Sequence, residues 1–277
     1  MGLRIATNVQ SLAAQRYLTT NHDEQNKSLE HLSSGSRITK AADDAAGLAI
    51  SEKLKANIRS LKQAARNAQD GVSMVQTAEG SLNEISNIFV RLRELSIQSA
   101  SDTISNVERG FIDKEVQQLK MEVDRISDAT EFNGTKLLHG HQHDLEIQVG
   151  LNNDPAVNRF VYNFSELQTS LDAFGLEGVN NRSKESSQEN LAKLDDAIIH
   201  VNRNRSTLGA LQNRLQSAIN NLHIYDENLE AANSRIRDTD MAEETANLTK
   251  NNILSQANVS VLGQANVNPQ LALKLLA

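Results

Sequence analysis

His139, His141 and His143 are the side chains of this 277-residue sequence whose type and spacing most suggest chemistry. Alternate residues of an extended strand share a face, so three imidazoles there could converge on a zinc ion, and an extracellular zinc hydrolase is one reading of the chain. Against it, Gly140 and Gln142 fall in an expected turn, and no partner that would orient all three imidazoles is evident. An exposed loop is the better reading. The sequence also lacks an HExxH pair, a phosphate-cradling glycine loop and a Ser/His/Asp set, so neither catalysis nor a cofactor is expected. There is no cysteine, which removes disulfides and thiol nucleophiles.

The charge balance narrows the partners. Net charge is -7 and no run of Lys or Arg carries interleaved aromatics, which argues against nucleic acid. No apolar run approaches the ~20 residues of a membrane span, so no membrane insertion is expected. The opening MGLRIATNVQSLAAQ has no apolar core like that of a cleaved secretory signal, and Ala6 stands where myristoylation wants Ser or Thr.

The elements around the histidines are mostly helical. Aromatics make up only 3% and Trp is absent, which suits helix-on-helix packing better than a thick globular core. Pro155 and Pro269 are the only prolines, leaving room for very long helices. Counting by sevens, Leu194, Val201, Leu208, Leu215, Leu222, Leu229 and Ile236 form an unbroken apolar column; its companion (Leu191, Ile198, Arg205, Gln212, Ile219, Asp226, Asn233) is mixed. Leu54, Ile58, Leu61, Ala65, Ala68, Val72, Val75, Leu82, Ile85, Phe89 and Leu92 predict a helix from about Ala45 to Ala100, roughly 80 Å long. A shorter helix follows Asp102 to Asn106, marked by Phe111, Ile112, Val116, Leu119, Val123 and Ile126.

Between these helices the period changes. Asn133-Gly134 is a turn signal, and Leu145, Ile147, Val149 and then Phe160, Tyr162, Phe164 alternate as a β-hairpin. Ser165 to Glu189 reads as surface loop. Asp43 or Asp44 can cap the helix from near Ala45, and Asp240 with Glu243 forms a capping-box pattern before the last helix.

The termini are unusual. Residues 1 to 22 carry only Arg4 and Arg16, and Ala246 to Ala277 only Lys250 and Lys274, yet both segments are rich in amides and poor in large apolar side chains. Neither can offset the entropy of ordering alone. Each terminus must meet the other, then copies of the same chain.

The blocks LSSGSRITKAADDAAGLAISEKLKANI (32 to 58), RNAQDGVSMVQTAEGSLNEI (66 to 85), VRLRELSIQSA (90 to 100) and EFNGTKLL (131 to 138) resemble the N-terminal part of bacterial flagellins. LGALQNRLQSAINNL (208 to 222), SRIRDTDMAEE (234 to 244) and VLGQANVNPQLALKLL (261 to 276) resemble the C-terminal part. The resemblance covers about four fifths of the chain in the right order, and Asn152 to Glu189 leaves no room for the outer domains of larger flagellins.

It implies a mainly α fold, a long antiparallel helical bundle or coiled coil with a small β-hairpin, arranged as concentric inner and outer helical domains. The inner domain would comprise residues 1-44 and 234-277; the outer would be 45-233, with hairpin and surface loops in 131-189. The implied function is a non-enzymatic structural subunit that self-assembles into the extracellular filament used for motility and is exported unfolded by the flagellar type III system. Filament-core packing would fall to Ile5, Val9, Leu12, Leu29, Leu32, Leu248, Val259, Leu262, Leu271 and Leu275. Outer-domain packing would fall to Leu54, Leu61, Val75, Leu82, Phe89, Leu194, Val201, Leu208, Leu215, Leu222 and Leu229. The implied partners are many copies of the chain, an export chaperone at the C-terminal helix, hook-associated and cap proteins, and sibling flagellins. Arg91, Leu95 and Glu115 resemble positions through which an innate immune receptor of animals detects some flagellins. The hook-filament junction protein shares the terminal-helix logic and is the nearest rival; a cytoplasmic coiled-coil signalling module is disfavoured by the uncharged ends.

Overall fold

The computed structural model describes residues 7-140, 144-163 and 167-276, with side chains through Val267. The elements run α1 (Val9–Ser34), α2 (Ala45–Ser99), α3 (Asn106–Ala129), β1 (Glu131–Phe132), β2 (Thr135–Lys136), β3 (Leu145–Gln148), α4 (Pro155–Asn158), β4 (Arg159–Tyr162), α5 (Lys184–Arg237) and α6 (Met241–Leu276). The chain is mainly α. It divides into two compact units, one of Met1–Ile58 with Glu227–Ala277 and one of Arg59–Asp226. Leu54 and Leu229 therefore belong with the terminal unit, although the heptad arithmetic groups them with the central helices.

In the central unit α2 and α5 run antiparallel, since Lys62, Glu79 and Arg93 of α2 pair in turn with Asp226, Arg205 and Asp195 of α5. Their apolar columns meet. Leu61, Val75, Leu82 and Phe89 of α2 are buried with Leu194, Val201, Leu208 and Leu215 of α5, and the α5 column is half-buried at Leu222. Burying such side chains contributes about 1.5 to 3 kcal/mol each, enough in sum to carry the ordering cost of a helical unit. The Phe89 ring meets Phe174 edge-on at 5.2 Å between centroids.

Two small antiparallel hairpins sit beside α2 residues 67 to 74. β1 pairs with β2 through a turn in which Asn133 and Gly134 have φ of 50° and 78°; a two-residue hairpin with positive φ at both positions favours this dipeptide. β3 pairs with β4 in the register Leu145↔Tyr162 to Gln148↔Arg159, joined by the short α4 that Asp154 caps. Gly71 lets β3 approach the helix: a Cβ there would stand 2.7 Å from Ile147 Cδ1. Phe164 lies outside the described residues.

The segment read as surface loop differs most from expectation. Leu167, Thr169, Leu171, Leu176, Val179 and Asn181 are all buried, and α5 already begins at Lys184. Composition rich in Gly, Ser and Asn marks irregular backbone, not exposure. Here the irregular backbone is sealed by side chains that satisfy it. The Lys120 ammonium donates to the carbonyls of Glu177 (2.6 Å) and Val179 (3.1 Å), and Asp113 accepts from Asn181 N (3.0 Å) and Arg182 Nε (2.8 Å).

The terminal unit holds α1 and α6 together with the start of α2 and the end of α5. α1 and α6 are antiparallel: Asn8 Nδ2 donates to Ala265 O (2.8 Å), Ser11 Oγ to Asn266 Oδ1 (3.0 Å) and Gln25 Nε2 to Asn252 Oδ1 (2.6 Å). Gly35, at φ 68°, ends α1 in the left-handed conformation and its N–H returns to His31 O. Beyond it the two connectors are stitched together by a Ser36↔Asp238 bridge, Arg37 N to Arg237 O (2.7 Å) and Thr239 N to Gly35 O (3.0 Å). Asp44 Oδ1 accepts from Gly47 N (2.8 Å), and Asp240 Oδ1 from Ala242 N (2.8 Å) and Glu243 N (3.2 Å).

Candidate functional site

His139 lies within 2.9 Å of Asp128 Oδ1, a carboxylate that Lys136 also approaches at 3.6 Å. His141 and His143 lie outside the described residues. Among the described residues, no three His, Cys, Asp or Glu side chains gather as a metal-holding group. The imidazole of His139 thus has a structural partner on the end of α3.

What the described surface does offer is apolar area without an intrachain cover. In the terminal unit the seam between α1 and α6 is built from small and polar residues: Ser11, Ala14, Ser28, His31 and Ala265 are buried. The large side chains point elsewhere. Val9 is 64% exposed, Leu12 56% and Ile253 61%, with Leu29, Val259 and Val267 also exposed and Leu32, Leu248 and Leu262 half-buried. The small seam brings the helix backbones close enough for amide side chains to bridge them, while the apolar stripe faces outward. Ile5 lies outside the described residues, as do the side chains of Leu271 and Leu275.

The fully buried face of α3 adds polar positions to the apolar ones that mark the helix in the sequence. The buried positions are Arg109, Asp113, Val116, Lys120, Val123 and Ser127, whereas Phe111 is 63% exposed and Ile112, Leu119 and Ile126 are only partly covered. Arg109 reaches the carbonyls of Ser99 and Ser101 (both 2.9 Å) and so closes the turn between α2 and α3. A full capping box opens α3, with Ser105 and Glu108 exchanging hydrogen bonds. Burial pushes the Asp113 carboxyl up, but hydrogen bonds from Asn181 N, Arg182 and Gln117 outweigh it and hold the group below the usual value. Burial alone pulls Lys120 down, partly opposed by Asp113, Asp124 and Glu177. Polar residues repeating at 113, 120 and 127 were the available signal, because they keep the spacing of a packed face.

Arg91 and Glu115 are brought together across α2 and α3, with Arg91 Nε and Nη2 at 3.0 and 2.9 Å from Glu115 Oε1, and Glu94 adds a third contact. Leu95 does not join them on the surface. It is 1% exposed and packs beneath.

These features, long helices at both ends, amide-bridged termini and apolar surface left open, match a known family. Residues 5-143 match the bacterial flagellin N-terminal helical region and residues 191-276 the bacterial flagellin C-terminal helical region. The chain belongs to the bacterial flagellins. It is 44% identical to a flagellin of Halalkalibacterium halodurans, over 97% of this chain and 98% of the relative. It is also 44% identical to the flagellar filament 30.7 kDa core protein of Treponema maltophilum, over 98% of each. Among solved structures it is similar to the crystal structure of Bacillus cereus flagellin, at 32% identity and a TM-score of 0.50, covering 57% of this chain and 88% of that one.

This flagellin is accordingly a structural protein and not an enzyme, a subunit of the extracellular flagellar filament in which many copies assemble. Nothing supports the zinc-hydrolase reading of the histidines. No described helix is long and apolar enough to cross a membrane.

Proposed function

We propose that the terminal unit is the part of this flagellin that forms the inner layer of the filament, and that the central unit forms the outer layer. The carrying observation is the outward set of Val9, Leu12, Leu29, Ile253 and Val259 on two helices whose mutual seam is polar and small. A pair so constructed gains most of its apolar burial from neighbouring copies. Before assembly it has little to hold it, which suits passage through a narrow export channel and ordering only on addition to the filament end.

The exposed Leu254, Val261 and Val267 of α6, followed in sequence by Leu271 to Leu276, are the proposed docking face for an export chaperone before they enter the filament. Hook-associated and cap proteins would meet the same terminal helices at the two ends of the filament.

Hydrogen exchange on purified monomer and on sheared filaments tests this. Residues 9-34 and 241-267 should exchange freely in dilute monomer and be protected in filaments; equal strong protection in both states overturns the assignment. Removal of Leu271 to Ala277 should abolish assembly, and normal filaments from that variant would count against it equally.

A further inference from the structure

We propose that a groove on the central unit receives Phe111 and Lys114 from a second copy of the chain. This rests on the filament reading and adds to it a specific contact. The groove, about 360 Å³, lies between α2 and the two hairpins. Its floor is Met74, Phe132, Leu145 and Ile147, and Asp70 and Glu146 stand on its edge. Among the described residues, no Lys or Arg lines it. Arg159 already engages Glu146 at 2.8 Å, which leaves the exposed Asp70 as the carboxylate open to a partner. A site with an apolar floor and an acidic edge fits an apolar body accompanied by a cation.

α3 presents that combination. Phe111 is 63% exposed, and Lys114 Nζ lies 5.7 Å from its ring centroid. The nearby acids are occupied, Glu108 by the capping box and Glu115 by Arg91, so Lys114 is available for Asp70. Arg16 sits over Tyr17 in a similar way, but Tyr17 would bring a hydroxyl onto an apolar floor, whereas Phe111 brings no polar atom to leave unsatisfied.

The contact has to be between copies. Glu115, one helix turn beyond Phe111 on α3, pairs with Arg91, and α2 from Gly71 to Arg91 spans about 30 Å at about 1.5 Å per residue. Groove and plug are different surfaces of one molecule, so each copy offers a free plug and a free groove, and repetition gives an open row instead of a closed dimer.

The absence of cysteine provides a clean test. Filaments of an Asp70→Cys/Lys114→Cys variant, treated with a short bismaleimide, should give a ladder of covalent oligomers, while each single variant stays monomeric on denaturing gels. Filaments that form but give no ladder overturn the contact, as does a ladder from Asp70→Cys/Arg16→Cys in its place.

In seeded polymerisation, Phe111→Ser, Asp70→Lys and Lys114→Asp should each slow growth by about tenfold or more, and Asp70→Lys/Lys114→Asp should recover it. Circular dichroism of the monomers should be unchanged, since all three side chains are exposed. Wild-type growth by every single variant overturns the proposal. Failure of the unaltered chain to polymerise would instead overturn the filament reading, and this contact with it.

Discussion

The central and terminal units use their apolar residues in opposite directions. In the central unit Phe89, Leu92, Leu194 and Leu208 turn inward and are almost fully covered by the same chain. In the terminal unit Leu12, Leu29 and Ile253 turn outward, while serines, alanines and amides make the intrachain seam. The first arrangement stabilises a monomer. The second leaves apolar side chains uncovered within the single chain, and under the proposed assignment contacts with other copies would cover them.

The comparison breaks most visibly at Phe89. Phe89→Ala should remove about 3 to 5 kcal/mol from the central unit, read as a lower midpoint in denaturant unfolding followed by circular dichroism. An unfolding midpoint equal to wild type would mean the central core is not what holds the monomer.

Asp113→Ala should cost about 1.5 to 3 kcal/mol by the same assay, because Asn181 N–H and Arg182 lose a charged acceptor. It should also speed hydrogen exchange in residues 167-183. Gly71→Ala sets an overpacked contact with Ile147 against a better helix former, for a net loss of about 1 kcal/mol. Methyl NMR of Ile147 should report the displacement.

Leu12→Ala sharpens the contrast from the other side. Monomer stability should change by no more than about 0.5 kcal/mol, while filament growth fails. A monomer as damaged as Phe89→Ala would erase the distinction between the units.

The smallest effect is electrostatic. Backbone N–H groups of Lys40 and Thr39 hold the Asp43 carboxyl down to about 2, below its ordinary 3.8. A depressed folded value stabilises above the unfolded pKa and loses that contribution as pH falls through the folded one. The Lys40 amide resonance should therefore stay fixed at neutral pH and shift only as pH falls below about 4 toward 2; a shift complete by pH 4 would refute the assignment.

Much of the central architecture was legible as period and punctuation. The column from Leu194 to Leu215, most of the stripe from Ile58 to Leu92 and the Asn133-Gly134 turn each had a local physical cause and are buried or paired in the structure, whereas the column beyond Leu215 is at most half-buried at Leu222, Leu229 and Ile236. The assembly surfaces were legible only in part. Of the large apolar residues expected to pack at the termini, Val9, Leu12, Leu29 and Val259 are exposed in the single chain, and sequence period does not distinguish a side chain that faces a helix of the same chain from one that faces another copy.

The amino-acid sequence by itself determined where helices run and end, because proline placement, capping residues and apolar period act within a few residues. Tertiary structure alone decided the facing of α3. Val116 and Val123 belong equally to the stripe through Ile112 and Leu119 and to the one through Asp113 and Lys120, about 100° of helix turn apart. The second stripe is buried because the carbonyls of Glu177 and Val179 and the N–H of Asn181, far away in sequence, need an ammonium and a carboxylate to satisfy them.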